Sequence, residues 1–592
     1  MAEGSWRLWH DAASLDDAAR EWAMLADRLQ KTADRLVAES KRIVAEWEGD
    51  SADSYHAHRG RVVSELDTAH STAANVSAAV ETIAKSVRLA QEHLDQAWGT
   101  VSHIPHSGSP SGEIRFEPRN DAEVELVSAA VTRETEIRSG LDVSLGGEMH
   151  VLVHATGVWD AMRMGLLPIS EFEEDPFELP GDADRVGVIT VGNKTYINTG
   201  AGNDSVMISD DPFSDGQLVT VNGKSFVVPR GQKIVIRTGG GDDNVSVQKG
   251  TQVNFTVLGG RGNDSVKTGA GADRVLGGRG DDEIETGGGR DAVLAGAGRD
   301  YVDGQGGDDL LGGGGDSDTV YGLGGDDRIV GGSGADYLEG ATGNDTIVAG
   351  RGHDIVSGGR GDDVLYGGSG YDVSYAGAGS DATYGGTDED ISYEESGDRS
   401  YGDTETTVTV QISNDARFIE IEGSPEFVAR TEADLDMLRS SPTGQQMLAE
   451  LERAHDDSGI LGIGQENLTI TEYHRSDNSW AHQHIFGGDE IEYSPRVDNV
   501  SGESPPVATL YHEAAHVYDF MTDNRDDTPY TGEDSDDRNV AQIERVAVGL
   551  PVDHDHNPNT PERIDPDHPI ELTENGLRKE IGWLSRDHYR ER

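Results

Sequence analysis

Aspartates recur at an unbroken interval of nine residues from Asp264 to Asp381, and most sit in the pattern Gly-x-Gly-x-Asp-x-(apolar). Gly260-Arg261-Gly262-Asn263-Asp264-Ser265-Val266 and Gly359-Arg360-Gly361-Asp362-Asp363-Val364-Leu365 are clear copies. A short fixed period admits few folds, because every repeat must meet its neighbours in the same way. The glycines accept backbone angles closed to other residues, so the chain can turn tightly at each copy. The aspartate offers a hard oxygen to a cation, and turn carbonyls add more. The apolar residue two places on then faces inward on a short strand. Two repeats make one coil, so fourteen make about seven coils, roughly 30 Å long at about 4.8 Å per strand. A disordered tract would need no fixed apolar register.

Spacing and core together resemble the RTX repeat family, Gly-Gly-x-Gly-x-Asp-x-(apolar)-x. The resemblance implies a parallel β-roll over residues 186–386 that binds several structural Ca²⁺ ions. The expected ligands are Asp264, Asp273, Asp282, Asp291, Asp300, Asp309, Asp327, Asp336, Asp345, Asp354, Asp363 and Asp372. Asp318 is left outside that set because Asp316 stands where a preceding glycine is expected; Asp381 is also left out. Ser374 and Thr383 replace the apolar residue, so the end sites are expected to be weaker. Two earlier copies, Gly200–Val206 and Gly239–Val245, are in phase with neither the ladder nor each other. Strand-like runs such as Ser225–Val228 and Lys233–Ile236 lie between them. Stacked carboxylates repel without a cation, and metal binding counts as folding free energy. The roll is therefore expected to stay unfolded in the cytosol and to fold where calcium reaches about 10⁻⁴ to 10⁻³ M.

A second pattern carries chemistry. His512-Glu513-x-x-His516 places two imidazoles one helical turn apart, where both can reach one Zn²⁺. Leu510, Ala514, Ala515, Val517 and Phe520 supply an apolar helical frame, with no Gly or Pro from Ala508 to Phe520. Glu513 is placed to take a proton from water as a general base. Catalytic zinc takes three protein ligands, so a third must come from further along. Glu544, in Gln542-Ile543-Glu544-Arg545-Val546, is the first choice, since a carboxylate in an apolar helix needs a partner. Asp519 shares the histidines' face and is an alternative as a hydrogen-bond acceptor behind a ligand. His554 and His556 read as a solvated loop.

Around this motif, Ser441-Pro442-Thr443-Gly444, Glu490-x-x-Tyr493-x-Pro495 and the closing Glu574-Asn575-x-x-Arg578-x-Glu580-x-Gly582-x-x-x-Arg586-x-x-Tyr589 resemble the M91 effector-type zinc metallopeptidases. That resemblance covers about a third of the chain. It implies endopeptidase activity on a protein substrate, and a role for Arg578, Arg586 or Tyr589 in steadying the oxyanion or the substrate. Capping and ion pairing within a terminal helix is the alternative role for these residues.

At the N-terminus, Trp22, Leu25, Leu29, Leu36 and Ile43 recur at helical spacing, and a second run from Val62 to Leu94 follows. Trp47-x-Gly49 between two such helices resembles the WXG100 family of type VII secretion substrates. The resemblance implies a module for export and dimerisation. That family's export signal, Tyr-x-x-x-Asp/Glu, has no match between Tyr55 and Tyr196, which leaves a helical partner to supply it. An ordinary helical hairpin is the rival account.

The net charge of −62 excludes nucleic acid and anionic membrane as general partners, because both need positive charge. Cysteine is absent, so stability rests on cores and bound metal. No apolar run approaches the roughly 20 residues of a membrane span. The segment from Met1 to Arg20 has no apolar core of the signal-peptide kind.

The expected organisation is multidomain. A helical hairpin spans residues 1–100, a partly helical junction 101–185, the β-roll 186–386, an acidic hinge 387–404 and an α+β zincin-like metallopeptidase domain 405–592. The whole reads as a secreted or cell-surface toxin or effector, exported without an ordinary signal peptide, with catalytic Zn²⁺ and structural Ca²⁺. The rival is a calcium-binding adhesion protein whose C-terminal domain binds zinc or a partner without turnover.

Overall fold

The computed structural model describes residues 3–4, 12–43, 50–108, 114–120, 122–134, 137–138, 141, 187–191, 193–212, 215–401, 404, 406–412, 417–458, 467–473, 490–494, 505–522, 526, 528–530, 540–552, 563–565, 568–583 and 585–586. Contacts divide it into two units, Met1–Leu179 with Tyr401–Asp403, and Pro180–Ser400 with Thr404–Arg592. No described helix is long and apolar enough to cross a membrane.

In the first unit, helices α1 (Ala12–Ile43) and α2 (Asp50–Val101) run antiparallel. Partners on α2 climb as those on α1 fall: His70 meets the Ala26 carbonyl, Ser77 the Ala19 carbonyl, and Arg88 the Asp16 carboxylate. Leu15, Ala19 and Trp22 pack on Val76 and Val80, the apolar seam that helical spacing demands. Trp47 and Gly49 lie outside the described residues. The expected linker after Ser102 is ordered in part, because His106–Gly108 pairs antiparallel with Ile114–Phe116.

The repeats of the second unit form two parallel sheets, each coil giving one strand to each. Partners stand 18 residues apart, as in Val275↔Val293 and Val266↔Ile284. One apolar position in every nine fills the space between the sheets. Val266, Val275, Ile284, Val293, Val302, Leu311, Val320, Ile329, Leu338, Ile347, Val356 and Leu365 are all fully buried. Where Ser374, Thr383 and Ser392 take over this position, the filling turns polar; Thr383 and Ser392 both donate to Glu394, Ser392 at 2.7 Å.

The roll is longer than its strict repeat. The out-of-phase copies join it, because Val245 pairs with both Val206 and Val266. The additional residues between them are absorbed by strands Gln217–Val221 and Lys224–Val228, which fold back as an antiparallel hairpin. At the other end, the stretch read as an acidic hinge carries strands Ile391–Glu394 and Arg399–Tyr401, and Thr406–Thr409 pairs with the first of these. Acidity suggested a solvated hinge; stacking on the preceding coil overrides it.

Each coil approaches the next so closely that glycine is required. Gly352 has φ +145°, and a Cβ there would overlap the Gly334 carbonyl oxygen. Gly352→Ala is expected to cost the roll about 2–3 kcal/mol, read as a shift in its denaturation midpoint.

The C-terminal region is α+β. Strands Ile419–Glu422, Leu468–Glu472 and Glu490–Tyr493 form a parallel sheet. Helices α3 (Pro425–Ser440), α4 (Pro442–Ser458), α5 (Pro506–Met521), α6 (Gln542–Val548) and α7 (Glu574–Glu580) complete the described part. Its core is continuous with the roll. Tyr321, Leu323, Tyr337, Ala341 and Tyr375 of the roll belong to the same buried cluster as Phe427, Leu438, Tyr511 and Leu577. Charged groups are buried at this seam and paired there. Arg430 bonds Asp303 at 2.6 Å, and Asp434 accepts hydroxyl hydrogens from Tyr321, Tyr337 and Tyr493 at 2.9, 3.1 and 2.7 Å.

Candidate active site and metal centres

Helix α5 follows from its sequence. Pro505 and Pro506 open it, and its apolar residues bury it along almost its full length. Burial carries His512, Glu513 and His516 inward; they are 8 %, 2 % and 5 % exposed. The two Nε2 atoms lie 3.1 Å apart. Glu544 Oε2 is 3.1 Å from His516 Nε2 and 3.5 Å from His512 Nε2. Three donor atoms at the corners of a tetrahedron around an ion at about 2.0–2.1 Å would stand about 3.3–3.4 Å apart. The observed spacings bracket that value, so the three side chains fit a zinc ion. They are also the His/Asp/Glu group that converges closely enough to hold a metal among the described residues.

Glu544 is brought in by the start of α6. Gln542 Nε2 donates to Asp526 at 2.8 Å, and Arg545 lies over the Tyr530 ring at 4.0 Å. The helix ends at Gly549, whose φ of +91° and close approach to Thr573 exclude a side chain. Glu513 Oε2 is buried without a partner, and burial pushes the Glu513 pKa up to about 7.

Behind the histidines stands a residue that sequence reasoning placed in a motif but gave no role. Glu574, the first residue of α7, meets His512 Nδ1 at 3.1 Å. An Nδ1–H donated to Glu574 leaves the His512 Nε2 lone pair free for a metal. Arg578 Nε donates to Glu574 at 2.7 Å and Arg586 at 3.1 Å, which neutralises the buried carboxylate. Burial opposes a charge on His512, but Glu544 and Glu574 outweigh it and lift its pKa to about 10 when no metal is bound. Burial likewise opposes charge on Glu574, yet His512 and the arginines hold it well below the usual carboxylate range.

Residues 415–589 match the family model of peptidase M91, described as an effector protein. The chain carries an M91 effector domain. Overlapping stretches between residues 256 and 391 match the RTX calcium-binding nonapeptide repeat. No curated protein and no solved structure matches the chain.

Within the M91 domain, Arg578 is 3 % exposed and paired with Glu574. Tyr589, His554 and His556 lie outside the described residues. Asp519 accepts a histidine N–H, but from His568, at 2.7 Å, and not from a member of the metal group. His568 closes a second link to the Leu572 carbonyl, also at 2.7 Å, and so pins the end of α5 beside the start of α7. The remaining closing-motif residues have structural partners. Asn575 brackets the Arg586 backbone through both its amide and its carbonyl group, and Gly582, at φ +71°, lies against Tyr371 of the roll.

In the RTX roll every expected aspartate is buried. Oδ1 accepts the backbone N–H one coil back, as in Asp282 to Asp264 N and Asp291 to Asp273 N, at 2.8 and 2.7 Å. Each Oδ2 is buried with no partner. A Cβ on Gly277 would overlap both Asp282 Oδ2 and the Ala295 carbonyl oxygen, so glycine keeps open a cradle lined by carboxylate and carbonyl oxygens. That donor set fits Ca²⁺. Asp318 and Asp381 share the arrangement, and so does Asp243 outside the strict ladder; Asp390, the next step of nine, accepts Asp372 N in the same way. Burial of the uncompensated carboxylates raises their pKa values, Asp264 to about 6, Asp282 to about 7, Asp300 to about 8 and Asp318 to about 9.

Proposed function

We propose that the protein is a secreted effector whose M91 domain is a zinc endopeptidase carried on a calcium-folded RTX roll. The observation that supports this most is the tetrahedral spacing of His512, His516 and Glu544 beside the unpartnered carboxylate oxygen of Glu513. A zinc ion bound there supplies the Lewis acidity that polarises a peptide carbonyl and makes water acidic. Glu513 takes the proton of the attacking water and returns it to the leaving amine. Glu574 holds the His512 ring in the tautomer that presents Nε2 outward, and Arg578 and Arg586 keep Glu574 ionised. Arg578 thus acts through Glu574. The α1–α2 hairpin, in this reading, serves export together with a helical partner.

The test uses the full chain with calcium on a mixed protein substrate. Cleavage is expected to stop with a zinc chelator and to return with zinc. Glu544→Ala is expected to weaken zinc by more than the ~10–100-fold typical of an outer partner, read by competition with a chromophoric chelator. Unchanged zinc affinity would remove Glu544 from the ligand set. Tight zinc with no turnover on any substrate would favour the adhesion-protein reading.

A further inference from the structure

Helix α7 touches both metal systems. It begins at Glu574, against His512, and ends at Glu580. Glu580 Oε1 accepts the Tyr375 hydroxyl of the roll at 3.0 Å and the Ser441 hydroxyl at 2.6 Å. Its Oε2 accepts Thr443 N, at the first turn of α4, at 2.8 Å. Tyr375 is fully buried and stacks on Tyr393 of the next coil, with ring centres 4.9 Å apart and planes within 8°. Its strand follows directly on Asp372, whose Oδ1 holds Asp354 N and whose Oδ2 lies open in the ladder. The register of Tyr375 is therefore set by coils that calcium stabilises. A helix of seven residues is too short to bend, so where one end is held, the other follows.

We propose that α7 is a strut between the two metal systems: Glu580, gripped by Tyr375 of the calcium-folded roll, positions Glu574 behind His512, so that calcium in the roll tightens zinc at His512, His516 and Glu544. Glu580 and Tyr375 are positioning residues. The coupling rests on the zinc reading of the site. Linkage makes it reciprocal, so zinc tightens calcium by the same factor. Calcium itself is a poor rival for the zinc site, since it prefers oxygen to imidazole. A chain in a calcium-poor compartment would hold zinc weakly and cleave little; calcium outside would complete the centre.

The test is zinc affinity of the full chain, measured by chelator competition with and without calcium. Calcium is expected to tighten zinc at least about tenfold in the natural protein, the scale on which outer partners act. Tyr375→Phe removes one oxygen and keeps the stacked ring. It and Glu580→Gln are expected to lose most of that gain while keeping the calcium-induced β signal in circular dichroism. Arg360→Ala cuts a different contact with this domain, the ion pair of Arg360 with Asp436, and is expected to keep the gain. Zinc affinity indifferent to calcium in the natural protein would overturn the strut and leave the peptidase standing. Equal losses in Arg360→Ala and Tyr375→Phe would also overturn it, in favour of general docking. No zinc uptake under any condition would overturn the peptidase reading, and the strut with it. If both strut variants lose their β signal, the reciprocal measurement decides: a zinc-dependent fall in the natural protein's calcium midpoint supports coupling, and an unmoved midpoint overturns it.

Discussion

Glu513→Gln is expected to lower cleavage by ~10²–10⁴-fold while zinc content, calcium response and fold stay as they were. The carboxylate is 2 % exposed on a helix buried along its length, and its Oε2 has no protein partner. Glutamine has the same shape, so the packing of α5 is unchanged. What it lacks is the capacity to take a proton. The three metal donors belong to other residues, so zinc should remain; metal analysis alongside the assay checks this. Full cleavage by the glutamine variant would mean that another group moves the proton. Arg578→Lys gives the contrast. It puts a methylene where Nε donates to Glu574, at 2.7 Å in the natural protein, and the loss is expected to appear first as weaker zinc binding. An equal fall in turnover at saturating zinc would instead put Arg578 on the substrate.

The roll is expected to respond to pH with opposite signs in the two calcium states. Without calcium, burial holds the ladder aspartates far above an unfolded value of about 3.9, with Asp282 near 7 and Asp300 near 8. A buried carboxylic acid costs nothing extra below the unfolded value, where both states are protonated. As pH rises, the unfolded chain gives up its protons first, so folded stability falls until the folded values are passed. The calcium-free roll should therefore gain structure as pH drops from about 8 to about 4, each ladder aspartate contributing in the same direction. The net charge of −62 pushes the same way by self-repulsion. With calcium bound the carboxylates are charged and needed, so acid expels the ion and the slope reverses. Denaturant midpoints across this pH range, with calcium and with a chelator, would show two crossing curves. Parallel curves would mean that the ladder carboxylates do not hold the ion.

Much of this was legible in the chain. The interval of nine predicts the parallel stacking and the inward valines, because each position recurs in the same environment. The spacing of His512 and His516 predicts a shared helical face, and the polar-in-apolar setting of Glu544 predicts convergence with them. What escaped was set by long-range contact. Gly200–Val206 and Gly239–Val245 look isolated in sequence, but a folded-back hairpin restores their register. The acidity of residues 387–404 hid strands that a preceding coil templates. Arg578 read equally as a helix-end ion pair or as a group on the substrate, and Glu574 carried no role, since only the fold brings residue 574 behind residue 512. Asp519 shares a helical face with the histidines, as its spacing says, yet its partner comes from a distant segment, at His568.

The seam between roll and M91 domain limits what else could be joined to this roll. Gln305, Leu323 and Ala341 occupy left-handed backbone positions, at φ +62°, +71° and +71°, where Gly359 and Gly377 hold the same place in later coils. Leu323 and Ala341 lie in the core shared with the peptidase helices. At Leu323 and Ala341 the left-handed backbone is accompanied by apolar contact with the peptidase helices. A different domain joined after Val410 would leave Leu323 and Ala341 against an ill-matched surface. Replacing the M91 domain would therefore leave two turns of the roll with left-handed apolar residues and no partner surface.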